Sequence, residues 1–125
     1  MNSTPKKTLA KKHSLKSTKL IDELFINGQS FITYPIRVVY VKQELNQSFL
    51  VSFSVPKKRF KLAVDRNRIK RLMRESFRQQ QHKLKTKNIA MMWLYMNPKM
   101  PDKKQIDKCV GKIIDQINLK QKSID

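Results

Sequence analysis

Apolar side chains follow two different spacings along the chain, and each spacing predicts one kind of element. From Thr18 to Gly28 the apolar positions lie three or four residues apart, which predicts a short helix with Ser17 or Thr18 as its cap. From Phe31 to Lys42 many residues are β-branched or aromatic, which predicts an extended run. Pro35 lies inside this run and favours an edge strand or a bulge there.

A second extended run follows the polar stretch from Glu44 to Ser48. Apolar residues occupy every second position from Phe49 to Val55, and Pro56 ends the run. Because only a short polar stretch separates the two runs, they are predicted to pair as a hairpin.

The second half of the chain places one apolar segment between two helical patterns. Nothing between Lys61 and Lys85 breaks the helical spacing, so a long helix is predicted there. Ile89 to Met96 is apolar throughout, as in a strand that is covered on both faces. A last helix is predicted to begin near Asp102, followed by a frayed basic tail. The order helix, strand, strand, helix, strand, helix indicates an α+β protein.

One domain accounts for this pattern, since 125 residues fall within the usual size of a single domain. Residues 1–14 are rich in lysine and contain no acid, which predicts a flexible basic arm before a domain at 15–120 and a tail at 121–125. No apolar run approaches the roughly 20 residues of a membrane span, and no secretory pattern follows the first lysines. We therefore expect a cytoplasmic protein without a membrane partner, and the single cysteine fits that compartment.

The net charge says more about function than the rest of the composition. The 28 Lys and Arg residues exceed the nine Asp and Glu residues, which gives a formal charge of +19 at pH 7. Like charges crowded on a small domain repel one another, so a polyanionic partner is expected. Nucleic acid is the polyanion that this composition favours, and a membrane surface is the weaker alternative.

The charge is densest in residues 57–74, KKRFKLAVDRNRIKRLMR, which hold nine Lys or Arg residues against one acid, Asp65. At about 100° per residue, Ile69, Met73 and Phe77 share one face of the helix, and the opposite face is basic. Arginine grips phosphate oxygens bidentately and stays charged, so this helix is predicted to meet a core and a polyanion on opposite sides. A solvated face of ion pairs is the alternative, but few acids are available for it.

The segment SVPKKRFKLAVDRNRIKRLMRESFR, residues 54–78, closely resembles the signature of the bacterial ribonuclease P protein family, whose core is the RNRIKR stretch at 66–71. The segment LKSTKLIDELFINGQSF, residues 15–31, is similar more loosely. The resemblance implies an αββαβα two-layer sandwich, like the second domain of ribosomal protein S5. It also implies a left-handed βαβ crossover through the basic helix, where the general rule would give a right-handed one.

The resemblance further implies how the chain meets RNA. In that family the basic helix contacts a catalytic RNA and lies near bound metal ions, and the RNA with Mg²⁺ hydrolyses precursor tRNA while the protein assists. The implied contacts with ribonuclease P RNA are Lys57, Lys58, Arg59, Arg66, Asn67, Arg68, Lys70, Arg71 and Arg74.

A second implied surface binds the single-stranded 5′ leader of precursor tRNA in a cleft between the sheet and the helices, where aromatic side chains stack on bases. Phe25 matches an aromatic position of the family, although packing in the core is an equal alternative for it, and Ile21 stands where another aromatic is common. Val39 aligns with the usual strand tyrosine, and Tyr40 reaches the same face only if a bulge occurs near Pro35. The implied leader-binding residues are Ile21, Phe25, Arg37, Val39 and Tyr40.

No catalytic or metal-binding cluster is predicted in the protein itself. His13 and His82 lie in polar segments without a placed partner. Asp65 is interpreted as a helix cap or as an ion-pair partner of a neighbouring arginine, and Cys109 as a small core residue. We therefore expect no cofactor carried by the protein, and the resemblance implies that Mg²⁺ is bound mainly by the RNA subunit.

Two other classes of function compete with this interpretation. A ribosomal or other structural RNA-binding protein would share the charge, the size and the mixed fold, but not the ordered RNR motif. A DNA-binding protein that lays the basic helix in the major groove would need a helix-turn-helix or dimerisation heptads, and neither pattern occurs, so no DNA partner is expected. A preference for structured RNA over duplex DNA would separate these classes.

Overall fold

The computed structural model describes residues 14–42 and 49–124, with the backbone alone for 121–124. Its elements are α1 (Thr18–Asn27), β1 (Gln29–Thr33), β2 (Ile36–Lys42), β3 (Phe49–Ser54), α2 (Ala63–Gln80), β4 (Ile89–Tyr95) and α3 (Lys103–Ile124), and a 3-10 turn at Gln81–Lys83 extends α2. The predicted basic arm, except Ser14, lies outside the described residues, as do the stretch 44–48 and His13.

The helices α1 and α3 begin where the sequence predicted, and side chains cap both starts. The Ser17 hydroxyl accepts a hydrogen bond from the Leu20 amide at 3.3 Å. At α3, the Asp102 carboxylate accepts from the Gln105 amide at 2.8 Å, and the Gln105 side chain accepts from the Asp102 amide at 3.2 Å. These reciprocal bonds satisfy backbone donors that a helix start leaves unpaired, so both predicted starts are confirmed. The helix α3 runs on to Ile124, past the predicted start of the tail.

The first extended run is two strands, where the sequence predicted one. It divides at Tyr34 and Pro35, and β1 pairs with β2 antiparallel, with Thr33 opposite Ile36. The physical reason is that β2 is an interior strand that forms hydrogen bonds with a neighbour on each side. A proline has no N–H for such a ladder, so it lies in the turn and not in a bulge within the strand.

The predicted hairpin between the two runs is wrong. The sheet order is β1-β2-β4-β3, so β4 lies between β2 and β3. The strand β4 pairs antiparallel with β2 and parallel with β3. Its residues are apolar on both sides and nearly all buried, and such a strand belongs in the middle of a sheet. The helix α2 connects the parallel neighbours β3 and β4, as the resemblance implied, while the left-handed sense of that connection stays a prediction.

Two clusters of buried residues lie on the two faces of the sheet. The larger one joins α2 and α3 to the face that carries Trp93, which is fully buried between the rings of Phe53 and Phe77 at 5.8 and 5.3 Å. The smaller cluster joins α1 to the other face of the sheet, and Leu20 and Leu24 of the helix pack there. Helices α2 and α3 therefore cover one sheet face and α1 covers the other, where Leu15 also joins the buried cluster.

Candidate RNA interface

The loop before α2 holds three of the predicted RNA contacts on a fixed turn. Val55 and Phe60 are buried at either side of it, and the Phe60 ring packs against Tyr95 at 6.1 Å. The amides of Arg59 and Phe60 both donate to the Pro56 carbonyl. Because both sides of the turn are anchored in the core, the segment between them projects into solvent with the cations Lys57, Lys58 and Arg59 exposed.

Arg66 lies where this loop becomes the helix, and it contacts the backbone. One terminal nitrogen of its guanidinium, Nη1, donates to the carbonyl oxygens of Phe60 at 2.7 Å and Lys61 at 2.9 Å. These charge-assisted bonds fix the loop against the first turn of α2. Arg66 is thus a positioning residue within the protein, and its predicted contact with RNA stays a prediction.

Asp65 does not cap α2. The helix begins after Leu62, whose side chain cannot accept a hydrogen bond, and Asp65 lies in the first turn. Its neighbour Arg66 donates to carbonyl oxygens of the preceding loop. A carboxylate in the first turn still favours the helix through its dipole, which is the role that the structure leaves to Asp65.

The outer side of α2 is a basic face with unpaired cations. Ile69, Met73 and Phe77 are fully buried against the sheet, which turns the remaining positions outward. Within the described part of the chain, no hydrogen bond or ion pair engages the side chains of Arg68, Arg71 or Arg74. We define the basic face of α2 as the outward polar residues Asn67, Arg68, Lys70, Arg71 and Arg74.

A shallow depression of about 430 Å³ lies on this face. Asn67, Arg68 and Arg71 line it together with Val64, which is 69% exposed. Such a site combines cationic donors for phosphate, an amide for base edges or 2′-hydroxyl groups, and an apolar wall for a sugar or base. The structure therefore brings the central residues of the predicted motif together on one accessible surface.

The other sheet face, the one that α1 packs on, is only partly covered. Val39, Ala90 and Met92 are buried beneath α1. The strand register aligns one further row of side chains on this face, and none of them is fully buried. We call these residues the open row: Ile32, Arg37, Leu94 and Ser54.

The predicted leader-binding residues divide between the two sheet faces. The register of β2 runs without a bulge, so Tyr40 points away from α1, is 7% exposed and donates from its hydroxyl to Gln29 at 2.9 Å. Tyr40 therefore does not lie in a cleft on the α1 side, which corrects its assignment. Val39 is on the α1 side but is buried under the helix.

The remaining three predicted leader residues lie on the α1 side. Ile21 is partly buried against the smaller cluster. Phe25 is 58% exposed, so the alternative of core packing is wrong for it. Arg37 is exposed and donates to the Ser30 hydroxyl at 3.4 Å, near the upper limit for a hydrogen bond.

Ile32, Leu94 and Ser54 of the open row were missed from the sequence. Their placement depends on the pairing register of four strands, and the incorrect hairpin concealed it. Side chains alternate between the two sheet faces along each strand, and this alternation was the available signal. It identifies the neighbours of Arg37 only once the pairing of the strands is known.

In residues 14–42 and 49–124 no group of three or more His, Cys, Asp or Glu residues is placed to hold a metal ion. None of the helices there combines the length and the apolar character that crossing a bilayer requires.

The chain is similar to proteins of one family along most of its length. A family model described as Ribonuclease P matches residues 9–118. A protein of Porphyromonas gingivalis named "Ribonuclease P protein component" is 33% identical over an alignment of 128 positions, which covers 94% of this chain and 91% of the relative.

Solved structures give the same picture for the fold. The RNase P protein of Staphylococcus aureus matches with a TM-score of 0.73 at 21% identity, over 84% of this chain and 94% of that one. The RNase P protein of Thermotoga maritima matches with a TM-score of 0.72 at 18% identity, over 82% and 96%. At these identities the likeness supports the fold and not the individual contacts.

Proposed function

Because the chain belongs to the ribonuclease P protein family, we propose that it binds both the catalytic RNA and the 5′ leader of precursor tRNA and so assists removal of that leader. Membership makes it the protein subunit of a tRNA-processing ribonucleoprotein whose partner is ribonuclease P RNA. The finer assignments concern which surface meets which RNA.

The basic face of α2 carries the proposal. Its arginines are held outward by a fully buried apolar stripe on the same helix, and no described acid neutralises Arg68, Arg71 or Arg74. Cations that the fold leaves unpaired are available to replace counterions on a phosphate backbone, which is the main source of affinity for nucleic acid. We assign the contacts with ribonuclease P RNA to this face and to the exposed cations at residues 57–59.

The open row and α1 form the second proposed surface. An unpaired leader crossing the sheet here would meet the guanidinium of Arg37, the apolar side chain of Ile32 and the ring of Phe25 on the adjoining helix. Stacking and apolar contacts tolerate any base, which suits leaders of varied sequence. The protein would then raise affinity for precursor tRNA above that for mature tRNA.

The hydrolytic step belongs to the RNA in this proposal. Mg²⁺ held mainly by the RNA would supply the activation of water and the stabilisation of the leaving oxygen. The protein's own residues bind and orient the two RNAs and reduce the repulsion between their phosphates. We place the complex in the cytoplasm.

The test is a leader-cleavage assay at low Mg²⁺ concentration, with a bacterial ribonuclease P RNA and with or without the protein. We expect the protein to stimulate cleavage by the RNA and to cleave nothing alone. No stimulation, together with tight binding to ribosomal RNA, would instead favour a structural RNA-binding protein.

The leader surface is tested by Phe25→Ala, with Ile26→Ala as its control. Ile26 is the next residue of α1 and is also exposed, at 78%. We expect Phe25→Ala to weaken binding of precursor tRNA by about fivefold or more, the loss of one stacked ring, and to leave mature tRNA unaffected. Equal losses for the two RNAs, or equal losses in the two variants, would contradict the assignment.

A further inference from the structure

The turn between β1 and β2 borders a pocket that neither proposed surface includes. The pocket has a volume of about 280 Å³ and lies between this turn and the exposed side of α3. Tyr34 is 65% exposed at its rim, an unusual position for a tyrosine ring in a free protein. We call this the turn pocket, lined by Thr33, Tyr34, Asn97, Gln105, Lys108 and Lys112.

The turn pocket contains polar groups without partners. The Thr33 hydroxyl oxygen is buried and has no hydrogen-bond partner among the described residues. The side-chain oxygens of Asn97 and Gln105 accept from nearby backbone amides, so their NH₂ groups remain as donors. Buried polar atoms without a partner are costly, and this set of donors and acceptors can satisfy the edge of a base.

The charge around the turn pocket is positive. Lys108 and Lys112 lie one turn apart on α3, about 6 Å along its axis, and both are exposed. The nearby acid Asp107 is paired with Lys103 at 2.7 Å. No carboxylate in the described ranges lies within ion-pair distance of Lys108 or Lys112, so both are available to phosphates.

The turn is also held rigidly. The Cys109 thiol donates to the Thr33 carbonyl at 3.1 Å, and the Met96 amide donates to the Pro35 carbonyl at 2.7 Å. Burial raises the pKa of Cys109 to about 11, so the thiol keeps its proton and remains a donor at neutral pH. A ring on a fixed turn loses little entropy when a base stacks on it.

We propose that the turn pocket binds one unpaired nucleotide of the distal 5′ leader, with Tyr34 stacked on the base and Lys108 and Lys112 against the flanking phosphates. The occupant is the leader because the open row ends at the edge strand β1, next to this turn. Ile32 and Arg37 are paired in the sheet and are the last residues of the row before Tyr34 and Pro35. The turn pocket faces α3 and so opens on the other sheet face, and a leader that crosses the row from β3 towards β1 reaches the pocket by passing over the edge of β1. This inference rests on the proposed leader surface and extends it.

The experiment measures binding to the holoenzyme of precursor tRNAs that share one tRNA body and carry unpaired leaders lengthened one nucleotide at a time. Crossing four strands spans about 14 Å, three spacings of about 4.8 Å. Affinity should rise once as the leader crosses the sheet and again when it reaches the turn. Tyr34→Ala should abolish the second rise, a loss of about fivefold or more. Tyr34→Phe, which keeps the ring, should retain it.

The charge contribution is tested by the Lys108→Gln/Lys112→Gln double variant. It should weaken binding of long leaders only and lower the salt dependence of that binding by about two phosphate contacts. The control is Lys83→Gln/Lys85→Gln, which removes the same charge near the other end of α3, where Asn118 contacts this segment. Circular dichroism verifies folding of each variant.

Two results would overturn the inference. One is a single rise of affinity with leader length that the turn-pocket variants leave intact. The other is an equal loss for long leaders, short leaders and mature tRNA, which would place the contact on another RNA. In both cases the increase in affinity that a short leader gives over mature tRNA, which depends on Phe25, still tests the proposed function separately.

Discussion

Arginine side chains within one motif differ in what the fold allows them to do. Arg66 directs a guanidinium nitrogen to two carbonyl oxygens of its own chain, whereas Arg68 and Arg71 meet no described partner. The resemblance implied an RNA contact for all three, and the internal role of Arg66 was not predicted because helical spacing gives the direction of a side chain but not the path of the loop before the helix. The predicted basic face could therefore be read from the sequence, and the internal role of Arg66 could not.

This difference predicts opposite phenotypes for substitutions two residues apart. Arg66→Ala should lower the free energy of unfolding by about 1–2 kcal/mol, because it removes two charge-assisted hydrogen bonds, one of them partly buried. Arg68→Ala and Arg71→Ala should leave stability within about 0.5 kcal/mol of the parent. Each should instead lower the slope of log affinity for ribonuclease P RNA against log salt by about one unit.

Urea unfolding and filter binding across a salt series measure the two effects. A loss of stability in Arg68→Ala as large as that in Arg66→Ala would show that Arg68 also serves the fold. An unchanged salt slope in both Arg68→Ala and Arg71→Ala would remove the basic face from the interface.

At the scale of elements, the periodicity of apolar residues identified the helices and the central strand, but it did not show which strands pair. A capping residue located the start of α1, the start of α3 was predicted near Asp102, and the run at 89–96 was identified as a strand covered on both faces. The long helix is confirmed within narrower bounds, because regular α-helix ends at Gln80. The predicted pairing was wrong because proximity in the chain favoured a hairpin between β2 and β3. In the structure β4, which is buried on both faces, lies between them. The assignment of Tyr40 to the cleft depended on a bulge near Pro35, and the regular register of β2 has none.

The junction of α1 and β1 leads to a prediction at this scale. A Cβ atom on Gly28 would lie 2.2 Å from the Leu24 carbonyl oxygen and 3.1 Å from that of Tyr40. Both neighbours are backbone atoms, so Gly28→Ala should destabilise the protein by about 1–3 kcal/mol. Gly111→Ala is the matched control, because its Cβ meets only the end of the flexible Gln80 side chain at 3.0 Å.

Alanine is the better helix former, so Gly111→Ala should be neutral or stabilising by up to about 1 kcal/mol. Thermal unfolding followed by circular dichroism compares the two variants. Similar stability of both would mean that α1 can shift away from β2 without cost, contrary to the close packing described.

For the whole molecule, a formal charge of +19 on 125 residues makes repulsion a general cost of the free protein. We expect the melting temperature of the free protein to rise with sodium chloride, because screening weakens this repulsion. A gain of about 1 kcal/mol would appear as roughly 4 °C for a domain of this size. The Lys83→Gln/Lys85→Gln variant should depend less on salt. A melting temperature that falls or stays constant with salt would show that attractive pairs dominate instead.

The burial of Trp93 gives the protein an optical reporter of its own. It is the sole tryptophan of the chain, is fully enclosed at the centre of β4, and lies beneath the helices that carry the proposed RNA contacts. RNA bound at the surface cannot stack on its indole, so the emission wavelength should remain that of an apolar environment when RNA binds and shift to the red only when the core opens. Intrinsic fluorescence can thus follow unfolding of the protein inside an assembled ribonucleoprotein, where the RNA dominates absorbance and circular dichroism.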